Sequence, residues 1–234
     1  MPARWTTLAL NPVLSGAMVN AKRVLSHLSA CLDHTPGPLA VERLDPARSQ
    51  LFHALPETLQ DVLRTWNGAF FTDDRWFSTG VESRWDGGPP VVGTDAMVEL
   101  WGFHPGRTGS ETEAVPHDLL EEAARHDGEA FLPRGLVAIG LGIQNSLVLV
   151  SVRPTDRGAV YYWDWYWQYP WNIGFFTERI DRALGRFDNA AAAVNDPDHP
   201  DHDAAVEAAN EATVVRLHEE FGGWVLGMRP ETES

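Results

Sequence analysis

The sequence predicts an α+β fold, on three observations. A single apolar stripe at helical spacing stands at residues 59–66. An apolar run, Leu147–Val150, and an aromatic run, Tyr161–Trp171, have the form of a hairpin in the middle of the chain. Helical spacing then returns after residue 173. Helices, strands and again helices follow one another in blocks rather than alternating, which separates α+β from a βαβ pattern.

Taken in order, Val13, Ala17, Ala21, Val24, Leu25, Leu28 and Leu32 recur at helical spacing and predict a helix over 13–32. Thr35-Pro36-Gly37-Pro38 ends it as a turn or linker. Leu55-Pro56-Glu57 opens the clearest helix. Proline is preorganised for a first turn, and Glu57 complements the helix dipole there. Leu59, Val62, Leu63 and Trp66 form its stripe, and Asn67-Gly68 stops it. Phe70 and Phe71 begin a strand or an ordered loop. Residues 72–93 read as loop, because polar and Gly/Pro-rich stretches interrupt any period. A short helix is expected from Thr94 to Trp101, then a loop over His104–Ser110 and an acidic helix from about Pro116 to His126. Leu136–Ile139 and Ser146–Val152 read as strands. The second is apolar enough for a central strand covered on both faces. Arg153–Gly158 is a turn, and Ala159–Trp165 is the returning arm. Helices are expected over roughly 173–193 and 203–221, separated by Asn195–Pro200.

The charge bounds the partners. The net charge is −15, with seven acids and one base in 111–130 and ten acids and three bases in 181–220. Such a field repels nucleic acid and anionic membranes and attracts basic proteins. One cysteine, Cys31, excludes an internal disulfide framework and suits a reducing compartment. No stretch reaches the roughly 18 apolar residues of a membrane helix. Leu28-Ser29-Ala30-Cys31 has the shape of a lipoprotein cleavage site. Lys22, Arg23 and His27 sit where the apolar stretch of such a signal belongs, so the segment reads as an amphipathic helix of a cytoplasmic protein.

All four tyrosines and four of the ten tryptophans lie in 161–171, a segment that Pro170 prevents from continuing as a strand. Tyr161–Trp163 reads as core. Asp164 either caps the loop that follows or anchors a binding patch with Trp165, Tyr166 and Trp167. Tyr and Trp dominate binding hot spots. Among the loops, Asp73, Asp74, Trp76, Trp85 and Asp86 have the same combination of acid and aromatic.

No catalytic or cofactor motif emerges. Gly140-Leu141-Gly142 lacks the third glycine and the lysine of nucleotide-binding loops and reads as a turn between strands. Asp198, His199, Asp201, His202 and Asp203 read as a solvated linker rather than a metal site. His104, His117 and His126 read as solvated. No nucleophile elbow, zinc-protease helix or paired cysteine spacing occurs. The expectation is a non-enzyme without cofactor or metal. A carbohydrate binder or hydrolase using the aromatics is the alternative from another class.

Three segments together carry a resemblance. They are Leu55-Pro56-Glu57 leading to Trp66-Asn67-Gly68, Phe131-Leu132-Pro133 followed by Val137-Ala138-Ile139-Gly140, and Gly158-Ala159-Val160-Tyr161-Tyr162-Trp163-Asp164. Their order and spacing over roughly 55–171 resemble the SUKH superfamily. The resemblance implies a central, mostly antiparallel mixed sheet flanked by helices, here with extra N- and C-terminal helices. It implies one domain over 1–234, with a core of about 45–190 and an acidic helical C-terminal extension of about 191–234. It also implies a non-enzymatic role: many bacterial members are immunity proteins that bind and block a cognate toxin, often a nuclease or deaminase, and others are regulatory scaffolds. The expected partner is a basic toxin protein. The candidate contacts are Asp73, Asp74, Trp76, Trp85, Asp86, Asp164, Trp165, Tyr166 and Trp167.

Overall fold

The computed structural model describes residues 21–83, 91–104, 116–128, 132–142, 146–163 and 174–230. Helix α1 (Ala21–Ser29) buries Val24 and Leu28, which confirms the second half of the first expected helix. Its first half lies outside the described residues. Strand β1 (Leu32–His34) follows directly.

Helix α2 (Pro46–Ala54) begins at a cap that the sequence reading passed over. Asp45 accepts the N–H of Arg48 at 2.9 Å, and Pro46 supplies the preset first-turn φ. Helix α3 (Glu57–Thr65) buries Leu59, Val62 and Leu63, as its stripe requires. The chain turns out of α3 through Gly68 at φ +84°, a left-handed conformation that favours glycine. A Cβ there would stand 2.9 Å from Gly102 N, Leu100 O and Pro116 Cβ.

The main correction concerns 72–101. This stretch is not loop followed by helix. Strand β2 (Ala69–Ser83) and strand β3 (Val91–Leu100) form a long antiparallel hairpin. Its polar residues have two physical reasons. Phe71–Asp74 bulge opposite Val98, since Phe70 pairs with Glu99 and Arg75 with Met97. Asp95 and Glu99, within the stretch expected as a helix, are buried and hydrogen-bonded.

Helix α4 (Leu119–Gly128) starts close to where it was expected. Strands β4 (Leu136–Gly142), β5 (Leu147–Ser151) and β6 (Val160–Trp163) form the expected meander, and every residue of β5 is buried. Gly140 and Gly142 belong to β4 and not to a turn. A Cβ on Gly140 would collide with the carbonyl oxygen of Glu99 on β3, so the close approach requires glycine. After helices α5 (Gly174–Leu184), α6 (Ala190–Asn195) and α7 (His202–Thr213) the chain returns to the sheet. Strand β7 (Val215–His218) stands where helix was expected. It alternates half-buried and exposed residues, the period of a strand. Helix α8 (Phe221–Gly227) and strand β8 (Arg229–Pro230) close the described chain.

The sheet order is β1-β2-β3-β4-β5-β6-β7, with β8 on the outer side of β2. Each ladder is antiparallel, and an isolated parallel bridge joins Gly102 to Asp118. The sheet is curled. β2 and β6 are four strand positions apart, about 19 Å in a flat sheet. Yet the rings of Phe77 and Tyr162 are 5.9 Å apart, centroid to centroid. Only a sheet folded round on itself allows that. Phe77, Tyr162 and Trp224 from α8 fill the concave interior. Helices α1, α3 and α8 pack on one another and add Val24, Leu28, Leu59, Leu63 and Phe221 to the same core.

Candidate interaction site

The strand register places the expected contact segments relative to one another. Met97 pairs with Gly142, Leu141 with Leu147, and Leu147 with Trp163, so these residues stand at one end of the sheet. Among the described residues β4 pairs with β3 no further than this level, and the β2–β3 ladder runs on to Ser83 and Val91. Trp76 lies just past this level, paired with Ala96 and with Arg229 of β8. Asp73 and Asp74 lie in the bulge just before it. Trp85 and Asp86 lie outside the described residues, between the two arms of this hairpin. Asp164, Trp165, Tyr166 and Trp167 are likewise outside, in the segment that follows Trp163. Of the nine expected contacts, the topology therefore places Asp73, Asp74 and Trp76 at the same end of the sheet as Trp163. Tyr162 and Trp163 are 3% and 1% exposed and are core as expected, whereas Tyr161, expected with them, is only half-buried.

That end is built on a buried carboxylate. Asp95 on β3 accepts the Tyr162 hydroxyl from β6 at 2.8 Å, the Ser146 hydroxyl from the start of β5, and the N–H of Ala96 at 2.7 Å. Asp95 is 4% exposed and Ser146 fully buried. A Cβ on Gly142 would overlap both Ser146 Oγ and Asp95. Glycine at 142 is what leaves room for the bond.

A second polar network holds the opposite end. Asn67 Oδ1 accepts from Phe103 N at 2.7 Å and its Nδ2 donates to Phe103 O at 2.9 Å. His104 is not a solvated loop histidine, since its ring bonds the Asn67 carbonyl and its N–H donates to Asp118 at 2.6 Å. His117 Nδ1 meets both oxygens of buried Glu99 at 2.8 and 2.9 Å. Neither partner was legible, because both pairings join positions far apart in sequence or brought close only by the fold. His126 lies where side chains are not described. Arg48 binds Asp118 through Nε and Nη2, and reaches Asp45 and Glu121 as well. Burial opposes the charge on Arg48, but the bonds to Asp118 and Asp45 outweigh it and raise its pKa. The Arg48 N–H and guanidinium hold Asp45 below the usual carboxylate range.

A third network sits on the β5–β6 turn. Ser151 and Tyr161 both donate to Asp156, at 2.6 and 2.5 Å. Burial pushes against ionisation of Asp156, yet these hydroxyls and the nearby Arg153 and Arg216 hold its carboxyl below the usual range. Burial and the Asp156 bond push the Tyr161 phenol up to about 12.

Not all the acidic surface faces outward. Glu207 of α7 accepts the N–H of Arg134 at 3.0 Å, and Glu211 pairs with Arg153 at 2.5 Å. Asp181, Asp188, Asp196, Asp198 and Asp201 remain exposed. Among the described residues, no group of three His, Cys, Asp or Glu side chains is placed to hold a metal ion. No helix of the described residues is long and apolar enough to cross a membrane. A shallow depression of about 540 Å³ is lined by Pro56, Glu57, Thr58, Arg157, Gly158 and Glu220. Arg157 there is committed to the carbonyls of His53 and Leu55 and so closes the end of α2.

A curled antiparallel sheet entered through the Leu55-Pro56-Glu57 helix and followed by helices defines an α+β domain of the SUKH kind. The SMI1/KNR4 family (SUKH-1) matches residues 38–181, more than half of the chain, and the chain belongs to that family. Comparison with curated proteins and with solved structures returns no match.

Proposed function

We propose that this protein is a non-enzymatic, immunity-type binder that occludes a cognate basic toxin domain of nuclease or deaminase type, acting in the cytoplasm. The observation that supports this reading is a SUKH-1 domain of net charge −15 in which Asp73, Asp74 and Trp76 stand at the same sheet end as Trp163. Asp73, Asp74 and Trp76 belong to β2, Trp85 and Asp86 follow it in sequence, and Asp164, Trp165, Tyr166 and Trp167 follow Trp163 in sequence. Acidic groups would speed the encounter with a basic active-site surface, and the aromatics would supply the desolvated centre of the interface. The exposed aspartates between 181 and 201 extend the favourable field.

The test is association with the basic domain encoded beside this gene, measured at two salt concentrations. A one-to-one complex whose on-rate falls with salt is expected. No complex at low salt would defeat the proposal. A complex with a partner that harms no cell would instead favour a regulatory module of the same fold.

A further inference from the structure

We infer that Asp95, Ser146 and Tyr162, together with Phe77, form a latch that docks the distal β2–β3 hairpin against the end of the sheet. Past Met97 and Gly142 this hairpin has no pairing to β4 among the described residues. Both of its strands change register at that level, at Phe71–Asp74 on β2 and around Val98 on β3. A bulged, twisted base of this kind leaves the direction of the arm underdetermined by the ladder alone. β8 supports it at two positions, Arg75 and Trp76.

Asp95 and Phe77 reach from the arm to the body of the sheet. Asp95 takes hydrogen bonds from Tyr162 and Ser146, and Phe77, its cross-strand partner, packs edge-on against Tyr162 at 5.9 Å and Trp224 at 5.3 Å. Tyr162 serves both contacts, the hydroxyl for Asp95 and the ring for Phe77. A carboxylate buried in an apolar interior is commonly no more stabilising than well-packed apolar residues would be, and its best-attested use is to specify one arrangement. Here the arrangement specified is the direction of the arm relative to Trp163, from which the chain continues to Asp164. The latch would thus set the relative placement of the two halves of the contact surface, a consequence that rests on the proposed toxin-binding role.

The β5–β6 hairpin carries its own control. Ser151, Asp156 and Tyr161 repeat the Ser-Asp-Tyr combination beside the turn, their bonds closing within that hairpin. Amide hydrogen exchange of the full-length protein separates the two. Tyr162→Phe keeps the ring and removes the hydroxyl, and Asp95→Asn removes the charge. In each, the amides of 75–83 and 91–97 should exchange roughly ten- to a hundredfold faster, the scale of a lost hydrogen bond to a charged group. The amides of α3 and β4 should keep their protection, and Tyr161→Phe should leave the arm unchanged. If Asp95→Asn does not fold, Tyr162→Phe alone carries the test. Unchanged exchange in the arm, or an equal loss in α3 and β4, would overturn the latch. That result leaves toxin binding untouched, and failure of a toxin domain to bind would leave the latch untouched.

Discussion

Replacing Arg48 with methionine should destabilise the protein more than replacing its buried partner. Arg48 is 11% exposed and Asp118 1%. The guanidinium approaches the two Asp118 oxygens at 3.1 and 3.2 Å, Asp45 at 2.6 Å and Glu121 at 3.1 Å. Arg48→Met keeps the length of the side chain and leaves Asp118 ionised with two backbone donors, His104 N at 2.6 Å and Glu121 N at 3.0 Å. Breaking a buried pair by removing one partner costs about 3–5 kcal/mol, and the two remaining donors place this case at about 3 kcal/mol. For a chain of this size that lowers Tm by roughly 6–12 °C. Asp118→Asn removes the buried charge and leaves Arg48 two half-exposed carboxylates, so its cost is about 1–2 kcal/mol, that of weakened hydrogen bonds. Urea unfolding at pH 7 with a common m-value measures both. An Arg48→Met cost below about 1 kcal/mol, the range of an exposed ion pair, would refute the reasoning. So would a larger cost for Asp118→Asn.

Three further outcomes are expected. In an ultraviolet titration one phenol should ionise near 12 and vanish in Tyr161→Phe. Its folded pKa lies above the ordinary 10.0, so its contribution to stability is complete below 10, falls between 10 and 12, and is lost above; an ordinary titration of all phenols would contradict the Asp156 bond. Trp224→Ala should cost about 3–5 kcal/mol and Trp224→Phe far less, because the buried indole N–H has no hydrogen-bond partner among the described residues; equal costs in thermal unfolding would contradict this. Ending the chain after Thr213 removes Phe221, Trp224, Val225 and Met228 from the core. At about 1.5–3 kcal/mol each this approaches a whole domain's stability, so near-ultraviolet circular dichroism should show no fixed tertiary structure.

What could be read from the sequence was what local chemistry determines. The stripe of α3, the fully buried β5 and the β5–β6 turn each follow from residues within a few positions of one another. The β2–β3 hairpin did not, because its polar residues make sense only with partners elsewhere. Asp95 needs Tyr162, 67 residues on, and the Asp73-Asp74 stretch needs a bulge opposite Val98. β7 was hidden for a similar reason. Four residues with strand period follow directly on the alanine-rich α7, and only pairing with β6 makes them a strand. The Asp45-Pro46 start of α2 was a local signal and was readable. The candidate contacts are scattered aromatic and acidic residues, and only the register puts Asp73, Asp74 and Trp76 at the same sheet end as Trp163.

The central claim concerns inhibition by occupancy, and a titration of activity tests it most directly. The toxin domain encoded beside this gene, held at a concentration well above Kd, is assayed on its substrate while this protein is added. The expected result is a linear loss of activity that ends at one equivalent, with the endpoint unchanged in Tyr161→Phe. Full activity at several equivalents, or a slow loss with time at substoichiometric amounts, would contradict occlusion.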